Sequence, residues 1–195
     1  MDVNLKEASW LNEPAVWEAT KTGLTLTTDA NTDFWRKTHY GFIRDSGHFL
    51  GTPVYDGFTA RVRVQGKFGS LYDQAGLMVR IDENRWVKTG VEFTDGERFL
   101  STVITDGKSD WSVSQPFKDL EDFYIRVTLK EGAMRIQASS DGRMWPLLRL
   151  APFPEASRYL VGLTACTPER GGLAVRFSEF AVDEAITTDL HDLSN

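Results

Sequence analysis

Apolar and polar residues alternate with a period of two along much of the chain. The alternation is clearest at residues 58–65, 75–81, 86–94, 99–105 and 123–130. Successive side chains of a strand point to opposite faces of a sheet, so this pattern is typical of strands with one buried and one solvated face. No segment repeats apolar residues at the i, i+3, i+4 and i+7 spacing of an amphipathic helix. The pattern therefore predicts an all-β chain.

Asp-Gly dipeptides separate the alternating segments. They occur at residues 56–57, 95–96, 106–107 and 141–142, and Asp-Gly readily adopts the positive φ angles of a tight hairpin turn. Short strands with such regular turns predict a concanavalin A-like jelly-roll sandwich of two antiparallel sheets. The length of 195 residues suits one domain. We expect it to span residues 1–183, followed by a polar tail at 184–195 that frays or forms one short helix.

The turns also predict how four consecutive strands pair. Three-residue and two-residue turns at 82–84 and 95–96 keep the apolar residues on one face. With a two-residue turn at 106–107, the predicted pairs are Gln74 with Glu92, Gly76 with Gly90, Met78 with Lys88, Arg80 with Trp86, Gly90 with Ser101, Lys88 with Val103, Ser101 with Ser112, and Val103 with Asp110. The face toward the core then carries Ala75, Leu77, Val79, Val87, Thr89, Val91, Phe93, Leu100, Thr102, Ile104, Trp111 and Val113.

The opposite face would carry a trough of small residues, namely Gly76, Gly90, Ser101 and Ser112. Glycine inside a strand often marks the close approach of a ligand or another chain. An aromatic platform, Trp86, and polar groups beside the trough would suit a carbohydrate or polyol ligand, and Lys88 beside Met78 would favour an acidic or phosphorylated sugar. The predicted ligand-binding residues are Gln74, Arg80, Trp86, Lys88, Glu92, Ser101, Asp110 and Ser112.

Residues 31–55 break the alternation with a long aromatic loop or distorted hairpin. Loops of this length are often functional. If this segment closes over the trough, the predicted rim is Trp35, His39, Tyr40, His48 and Tyr72. Alternatively, the segment fills the trough or packs on its own aromatic side chains, and the face binds no ligand.

Net charge, the first residues and the cysteine content indicate the expected partners and cellular location. The formal net charge of −6 disfavours nucleic acids and anionic membranes, because both require a basic face. The first residues contain charges and no apolar run, so no signal peptide is expected. A single cysteine, Cys166, cannot form an internal disulfide. We therefore expect a cytoplasmic protein.

Several of these segments carry a resemblance to a known family. The runs YDQAGLMVR (72–80), RWVKTGVEFTDG (85–96), SDWS (109–112) and TDFWRKTHYGF (32–42), with Gly47 and His48, resemble a domain-of-unknown-function family with a concanavalin A-like jelly roll. The yeast "regulation of enolase" protein belongs to this family. The resemblance covers roughly residues 10–182 and implies a two-sheet sandwich with a concave face, a fold shared by lectins and glucanases. The name implies an alternative function, a non-catalytic regulatory protein that binds a metabolic enzyme.

Catalysis is a further alternative, as a sugar-active hydrolase that uses Glu92. Jelly-roll glucanases place a Glu-x-Asp-x-x-Glu run on one strand. Counting from Glu92, Thr94 replaces the middle acid, and the turn at 95–96 moves Glu97 to the next strand. Glycoside hydrolysis uses two carboxyl groups about 5 to 9.5 Å apart. Glu92 and Asp110 would instead lie about 10 Å or more apart across the sheet.

No cofactor or metal site is predicted. The spacing of Asp29, Asn31 and Asp33 resembles the start of a calcium loop, but Phe34 replaces its glycine and Tyr40 its closing glutamate. Three scattered histidines and one cysteine do not provide the ligand spacing of a zinc site.

Overall fold

Two seven-stranded sheets form most of the structure, a computed structural model that describes residues 5–20, 23–115 and 120–194. The first sheet has the order β1 (Ser9–Leu11), β6 (His48–Val54), β15 (Tyr159–Cys166), β8 (Gln74–Arg80), β9 (Arg85–Thr94), β10 (Glu97–Asp106) and β11 (Lys108–Ser114). The second has the order β14 (Leu147–Pro152), β13 (Ala133–Ser139), β12 (Asp122–Lys130), β7 (Phe58–Gly66), β16 (Ala174–Glu184), β3 (Gly23–Thr27) and β2 (Val16–Ala19).

Two short elements lie outside these sheets. A 3₁₀ helix spans Leu5–Glu7, and β4 (Phe34–Arg36) pairs with β5 (Ile43–Asp45) in a hairpin that we call the cover hairpin. Within the described ranges, no helix is long and apolar enough to cross a membrane.

The two large sheets pack face to face around one apolar core. Alternate residues of the central strands are buried there, including Leu77 and Val87 from the first sheet and Val62 and Ile125 from the second. All pairings within the sheets are antiparallel. The period-two alternation thus produces the predicted sandwich, and its polar positions remain on the outer faces.

Two of the three predicted hairpin registers are confirmed. In the first, Gly76 lies opposite Gly90 and Arg80 opposite Trp86. In the second, Gly90 lies opposite Ser101. The predicted core face follows from these registers, and its two threonines satisfy each other because the hydroxyls of Thr89 and Thr102 are 2.9 Å apart.

The third register, between β10 and β11, was predicted one residue out of place. Gly107, with φ of +68°, lies alone between the paired residues Asp106 and Lys108. The turn therefore holds one residue instead of two, and Val103 lies opposite Trp111. Side chains alternate between faces, so this slip turns every side chain of β11 to the other face.

The slip moves four residues that the sequence had assigned to a face. Trp111 and Val113 leave the predicted core and point outward, with 38% and 41% of their surface exposed. Asp110 and Ser112 leave the predicted site and point toward the second sheet, where Arg149 of β14 donates hydrogen bonds to both.

The C-terminal tail lies against the second sheet. The guanidinium of Arg135 donates hydrogen bonds to the carbonyl oxygens of Thr188, Leu190 and Asp192 at 3.1 to 3.4 Å. The amide of Trp145 donates to the carbonyl of Leu193 at 3.0 Å. The expectation of a short helix is wrong for residues 185–194, which form no helix. Because Arg135 is buried, it needs these acceptors.

Candidate functional site

A cavity of about 240 Å³ opens on the outer face of the first sheet, beside the cover hairpin. It is lined by Asn31, Asp33, Trp35, Tyr40, Phe42, Arg44, Tyr72, Gln74, Lys88, Glu92, Val103, Trp111, Pro168 and Glu169. A volume of about 240 Å³ is below the range of about 300–1,000 Å³ that is typical of sites for drug-sized molecules, so the cavity suits a small ligand.

The carboxyl group of Glu92 lies at the bottom of this cavity, with 4% of the residue exposed. Its Oε2 atom accepts a hydrogen bond from the Ser101 hydroxyl at 2.6 Å and another from Trp111 Nε1 at 3.2 Å. Among the described residues, none donates to Oε1. Burial raises the pKa of Glu92 above its ordinary value, and Lys88 and the two hydrogen bonds offset only part of that effect.

Lys88 and Asp33 form an ion pair beside Glu92. The ammonium Nζ is 2.9 Å from Asp33 Oδ1, and the two side chains are only 7% and 17% exposed. Burial lowers the pKa of Lys88, but Asp33 and the nearby Cys166 and Glu92 raise it by more, so the net shift is upward. Lys88 is therefore a charged group whose charge Asp33 already balances.

Aromatic rings form the rim of the cavity. From the cover hairpin, Tyr40 stacks on Phe42 with centroids 5.3 Å apart, and Trp35 meets Tyr40 edge-on at 5.7 Å. The hydroxyl oxygens of Tyr40 and Tyr72 are 3.4 Å apart. This hydrogen bond, followed by burial, raises the pKa of Tyr72 to about 12. Tyr72 is thus a neutral phenol at physiological pH, and the exposed ring of Trp111 completes the rim.

The structure brings together six of the predicted site residues. Trp35, Tyr40, Tyr72, Gln74, Lys88 and Glu92 line the cavity. Ser101 contributes from beneath by holding Glu92 in place. The glycines of the trough are explained by strand packing rather than by a ligand. A Cβ atom at Gly76 or Gly90 would collide with the backbone of the opposite strand. The two glycines allow this close approach of β8 and β9.

Trp86 and Arg80 were predicted to bind ligand, but the cover hairpin buries them. Trp86 is fully buried and packs against Phe34, with ring centroids 5.9 Å apart. Arg80 makes two hydrogen bonds of 2.8 Å to the carboxylate of Asp45. Residues 34–45 therefore cover the end of the face at Trp86 and Arg80, which lies beyond the trough of Gly76, Gly90 and Ser101. The other end remains open as the cavity.

The two predicted histidines also lie outside the cavity. His48 is buried, accepts a hydrogen bond at Nε2 from the amide of Asp29 at 3.0 Å, and lies 2.7 Å from the Asn12 carbonyl through Nδ1. These contacts place its proton on Nδ1 and make it a structural residue. His39 lies at the exposed tip of the cover hairpin, with its ring against Tyr40.

The site includes residues that the sequence did not indicate. Trp111 enters through the corrected register of β11, and Asp33, Phe42 and Arg44 enter with the cover hairpin. Glu169 comes from the connection between β15 and β16. Asp33 stood out in the sequence only as part of an incomplete calcium loop. No group of three or more metal-ligating side chains that could hold an ion occurs in residues 5–20, 23–115 and 120–194.

The chain is similar over most of its length to one described family and to one yeast protein. Residues 10–185 match the profile of a family described as "Protein of unknown function (DUF1349)". "Regulation of enolase protein 1" from Saccharomyces cerevisiae is 55% identical over 195 residues, which cover 99% of this chain and 98% of that protein.

Solved structures share the fold. A functionally unknown protein from Saccharomyces cerevisiae has a TM-score of 0.92 at 54% identity, with 94% of this chain and all of that chain covered. The GH43 BlXynB protein from Bacillus licheniformis has a TM-score of 0.69 at 13% identity over 94% of this chain and 38% of its own. The carbohydrate binding module CBM66 from Bacillus subtilis has a TM-score of 0.51 at 14% identity over 82% of this chain and 95% of its own. The last two similarities concern the fold alone. Together with the two antiparallel sheets, they confirm the predicted jelly roll.

Proposed function

The chain belongs to the DUF1349 family, and on that premise we propose that it binds a small carbohydrate or polyol in the cavity of the first sheet. One observation carries the proposal. An exposed indole, Trp111, lies beside a buried carboxyl, Glu92, whose Oε1 atom accepts no hydrogen bond from the described residues. A sugar presents an apolar face that suits such a ring and hydroxyl groups that suit such an oxygen.

The rest of the cavity supports this chemistry. Trp35 and Tyr40 add aromatic surface opposite the sheet, while Gln74 and Tyr72 add uncharged donors and acceptors. Pockets with apolar walls and a few fixed polar groups are typical of small-molecule sites. The cover hairpin is fixed over the sheet, since the amide of Arg36 donates a 2.9 Å hydrogen bond to Ser109 of β11. The cavity is therefore largely preformed.

The comparisons support the proposal only through the fold. A carbohydrate binding module shares the sandwich, but one fold serves many functions, and the site has to carry the argument. A cytoplasmic location also stays a proposal, which rests on the single free cysteine, Cys166.

A regulatory protein that binds a metabolic enzyme is a second candidate function. The name of the yeast relative suggests it, and the cover hairpin exposes Tyr40, Phe42 and Ile43 by 40 to 49%. Exposed apolar residues that lie together are typical of protein contact sites. Under this alternative, substitutions at Ile43 abolish binding of the partner enzyme, and Glu92→Ala does not.

A sugar-active hydrolase is a third candidate. The raised pKa of Glu92 suits a general acid. However, Asp110, the second acid predicted from the sequence, points toward the other sheet. Asp33 is a half-buried carboxylate that shares the cavity, and Lys88 pairs with it. Release of a cleaved product from a bound glycoside would favour this candidate over simple binding.

Binding to neutral sugars tests the proposal directly. The wild type and the variants Trp111→Ala and Glu92→Ala are titrated with glucose, galactose and their disaccharides by calorimetry and thermal shift. A ligand at about 100 times its Kd stabilises the folded state by about 2.7 kcal/mol. We expect saturable binding by the wild type and about tenfold or greater weakening in Trp111→Ala.

Two control variants keep this test specific. Trp17 is as exposed as Trp111, at 38%, but lies on β2 at the edge of the second sheet. Asp110 lies on the same strand as Trp111 but points away from the cavity. Trp17→Ala and Asp110→Ala should bind as the wild type does. Absence of saturable binding at millimolar sugar, or equal losses in Trp17→Ala and Trp111→Ala, would overturn the proposal.

A further inference from the structure

The charges around the cavity do not cancel. Asp33, Glu92 and Glu169 contribute carboxyl groups, whereas Lys88 and Arg44 contribute cations. Asp33 already balances Lys88 at 2.9 Å. Arg44 is exposed at the mouth, with its guanidinium 5.1 Å from the centre of the Phe42 ring. Glu92 is therefore the carboxyl inside the cavity that no cation among the described residues contacts directly, and Lys88 acts on it only through space.

Glu92 is a buried carboxyl without a bonded cation. Both of its hydrogen bonds come from uncharged groups, the Ser101 hydroxyl and the Trp111 indole. Burial of a carboxylate without a paired cation is unfavourable, and the raised pKa of Glu92 reflects this cost. A ligand that brings a positive charge to Oε1 would remove the cost, and a neutral ligand would remove less of it.

The aromatic rim favours the same charge. Five rings surround the cavity, those of Trp35, Tyr40, Phe42, Tyr72 and Trp111. The face of an aromatic ring is electrostatically negative, and rings grouped with a carboxylate are a common setting for ammonium groups. The net charge of −6 over the chain also attracts cations and repels anions.

From these three observations we infer that the ligand is an amine-bearing sugar or polyol, whose ammonium group lies between Glu92 Oε1 and the aromatic rim. This inference rests on the proposed carbohydrate function and names its ligand class. It replaces the sequence-based expectation of an acidic or phosphorylated sugar. That expectation assumed an unpaired Lys88, whereas Asp33 balances its charge through an ion pair of 2.9 Å.

A set of matched sugars tests the inference. Glucose, glucosamine, N-acetylglucosamine and glucuronic acid share one ring and differ in charge, and the galactose series repeats the comparison with another stereochemistry. Titrations by calorimetry are run as a series from mildly acidic to neutral pH, because the amine must be protonated while Glu92, whose pKa is raised, must be ionised. We expect the protonated amine to bind about tenfold or more tightly than the neutral parent sugar, because hydrogen bonds between charged groups are the stronger ones. The N-acetyl sugar, whose amide is uncharged, should lose this gain.

Glu92→Gln supplies the matched variant. Its amide oxygen can accept the hydrogen bonds of Ser101 and Trp111, which leaves the amide nitrogen facing the cavity in place of Oε1. We expect the amino sugar and its parent to bind this variant within about twofold of each other, since the charge interaction is removed. Asp110→Asn, which changes a carboxylate outside the cavity, should retain the wild-type preference.

The outcomes separate this inference from the proposed function. Equal binding of glucose and glucosamine, or preference for glucuronic acid, would overturn the inference and leave carbohydrate binding intact. Choline serves as a probe without a sugar ring. Binding of choline alone would overturn both the carbohydrate function and the amino-sugar ligand, because it would show that the cavity recognises the cation without a sugar ring. Failure of every probe would overturn both. If Glu92→Gln does not fold, the comparison of glucosamine with N-acetylglucosamine in the wild type still decides the inference.

Discussion

The indole Nε1 of Trp111 donates a hydrogen bond to Glu92 Oε2 over 3.2 Å and thereby joins the edge strand β11 to β9, two strands away. The Ser101 hydroxyl of β10, which lies between them, donates to the same oxygen. Two donors therefore fix one oxygen of the carboxyl, while Oε1 accepts no hydrogen bond from residues in the described ranges. This arrangement provides the proposed site with both a ring and an acceptor.

The titration of Glu92 should appear in the pH dependence of stability. Its pKa is raised in the folded protein above the ordinary value of 4.5. Between these two values the folded state holds a proton that the unfolded state has released, so increasing pH favours unfolding. We therefore expect the unfolding free energy of the wild type, relative to Glu92→Gln, to decrease as pH rises through this window.

Urea unfolding of both proteins across the acidic to neutral range measures this difference. The other groups that act on Glu92 are Lys88, Asp33, Tyr72 and Cys166, and they are unchanged in the variant. A difference between the two proteins that does not vary with pH would show that Glu92 titrates normally.

Removal of the charge on Asp33 should be strongly destabilising. Asp33→Asn leaves the buried ammonium of Lys88 without a paired anion. Loss of one partner of a buried pair costs about 3–5 kcal/mol. The same substitution at Asp110, whose partner Arg149 lies near the surface, should cost about 0–1 kcal/mol. Equilibrium unfolding in urea compares the two variants, and similar small losses in both would contradict the role given to the Asp33 and Lys88 pair.

A methyl group added at Gly76 should disrupt the close packing of β8 against β9. A Cβ atom at Gly76 would collide with the carbonyl oxygen of Thr89. We expect Gly76→Ala to lower the unfolding free energy by roughly 1–3 kcal/mol, as other overpacked sites do. Gly69 offers a control, because a Cβ atom there has open space. Gly69→Ala should be neutral or slightly stabilising, and equal effects at the two positions would disprove the steric explanation.

The thiol of Cys166 should be inert in the folded protein. Burial raises the pKa of Cys166 to about 12, and the protonated thiol is a poor nucleophile. At mildly alkaline pH, a chromogenic disulfide reagent should modify it rapidly in urea and very slowly without denaturant. Modification of the native protein at the rate of a free thiol would contradict this burial.

Local sequence signals sufficed to predict the strands and two of the hairpin registers. The turns at 82–84 and 95–96 join strands that are adjacent in sequence, and one register for each keeps the apolar side chains on the core face. The pairing of Gly76 with Gly90 and of Gly90 with Ser101 could therefore be derived without the structure.

The same rule failed for β11. Trp111 and Val113 are apolar, so the pattern assigned them to the core, but β11 is an edge strand and Trp111 belongs to the rim of a cavity. An exposed aromatic residue at such a site breaks the local pattern. The sequence does not show whether the turn at Gly107 holds one residue or two. The register of β11, and therefore the face on which Trp111 lies, cannot be derived from it.

Burial by distant segments could not be predicted either. Alternation assigned Trp86 and Arg80 to the outer face correctly. It carries no information about the cover hairpin, which approaches from about 35–50 positions away in the sequence and buries both residues. His48 is a similar case, because its partners Asn12 and Asp29 come from separate connections.

The indole signals of the six tryptophans provide the most direct test of the central claim, that the cavity binds a small carbohydrate. An isotope-labelled sample is titrated with the tightest-binding sugar of the glucose and galactose series while the indole N–H resonances are recorded. Trp111→Ala and Trp35→Ala assign the two signals of the cavity. We predict saturable shifts of the Trp111 and Trp35 signals and constant positions for Trp10, Trp17 and Trp145. Unchanged Trp111 and Trp35 signals at millimolar sugar, or shifts confined to Trp10 and Trp17, would contradict the claim.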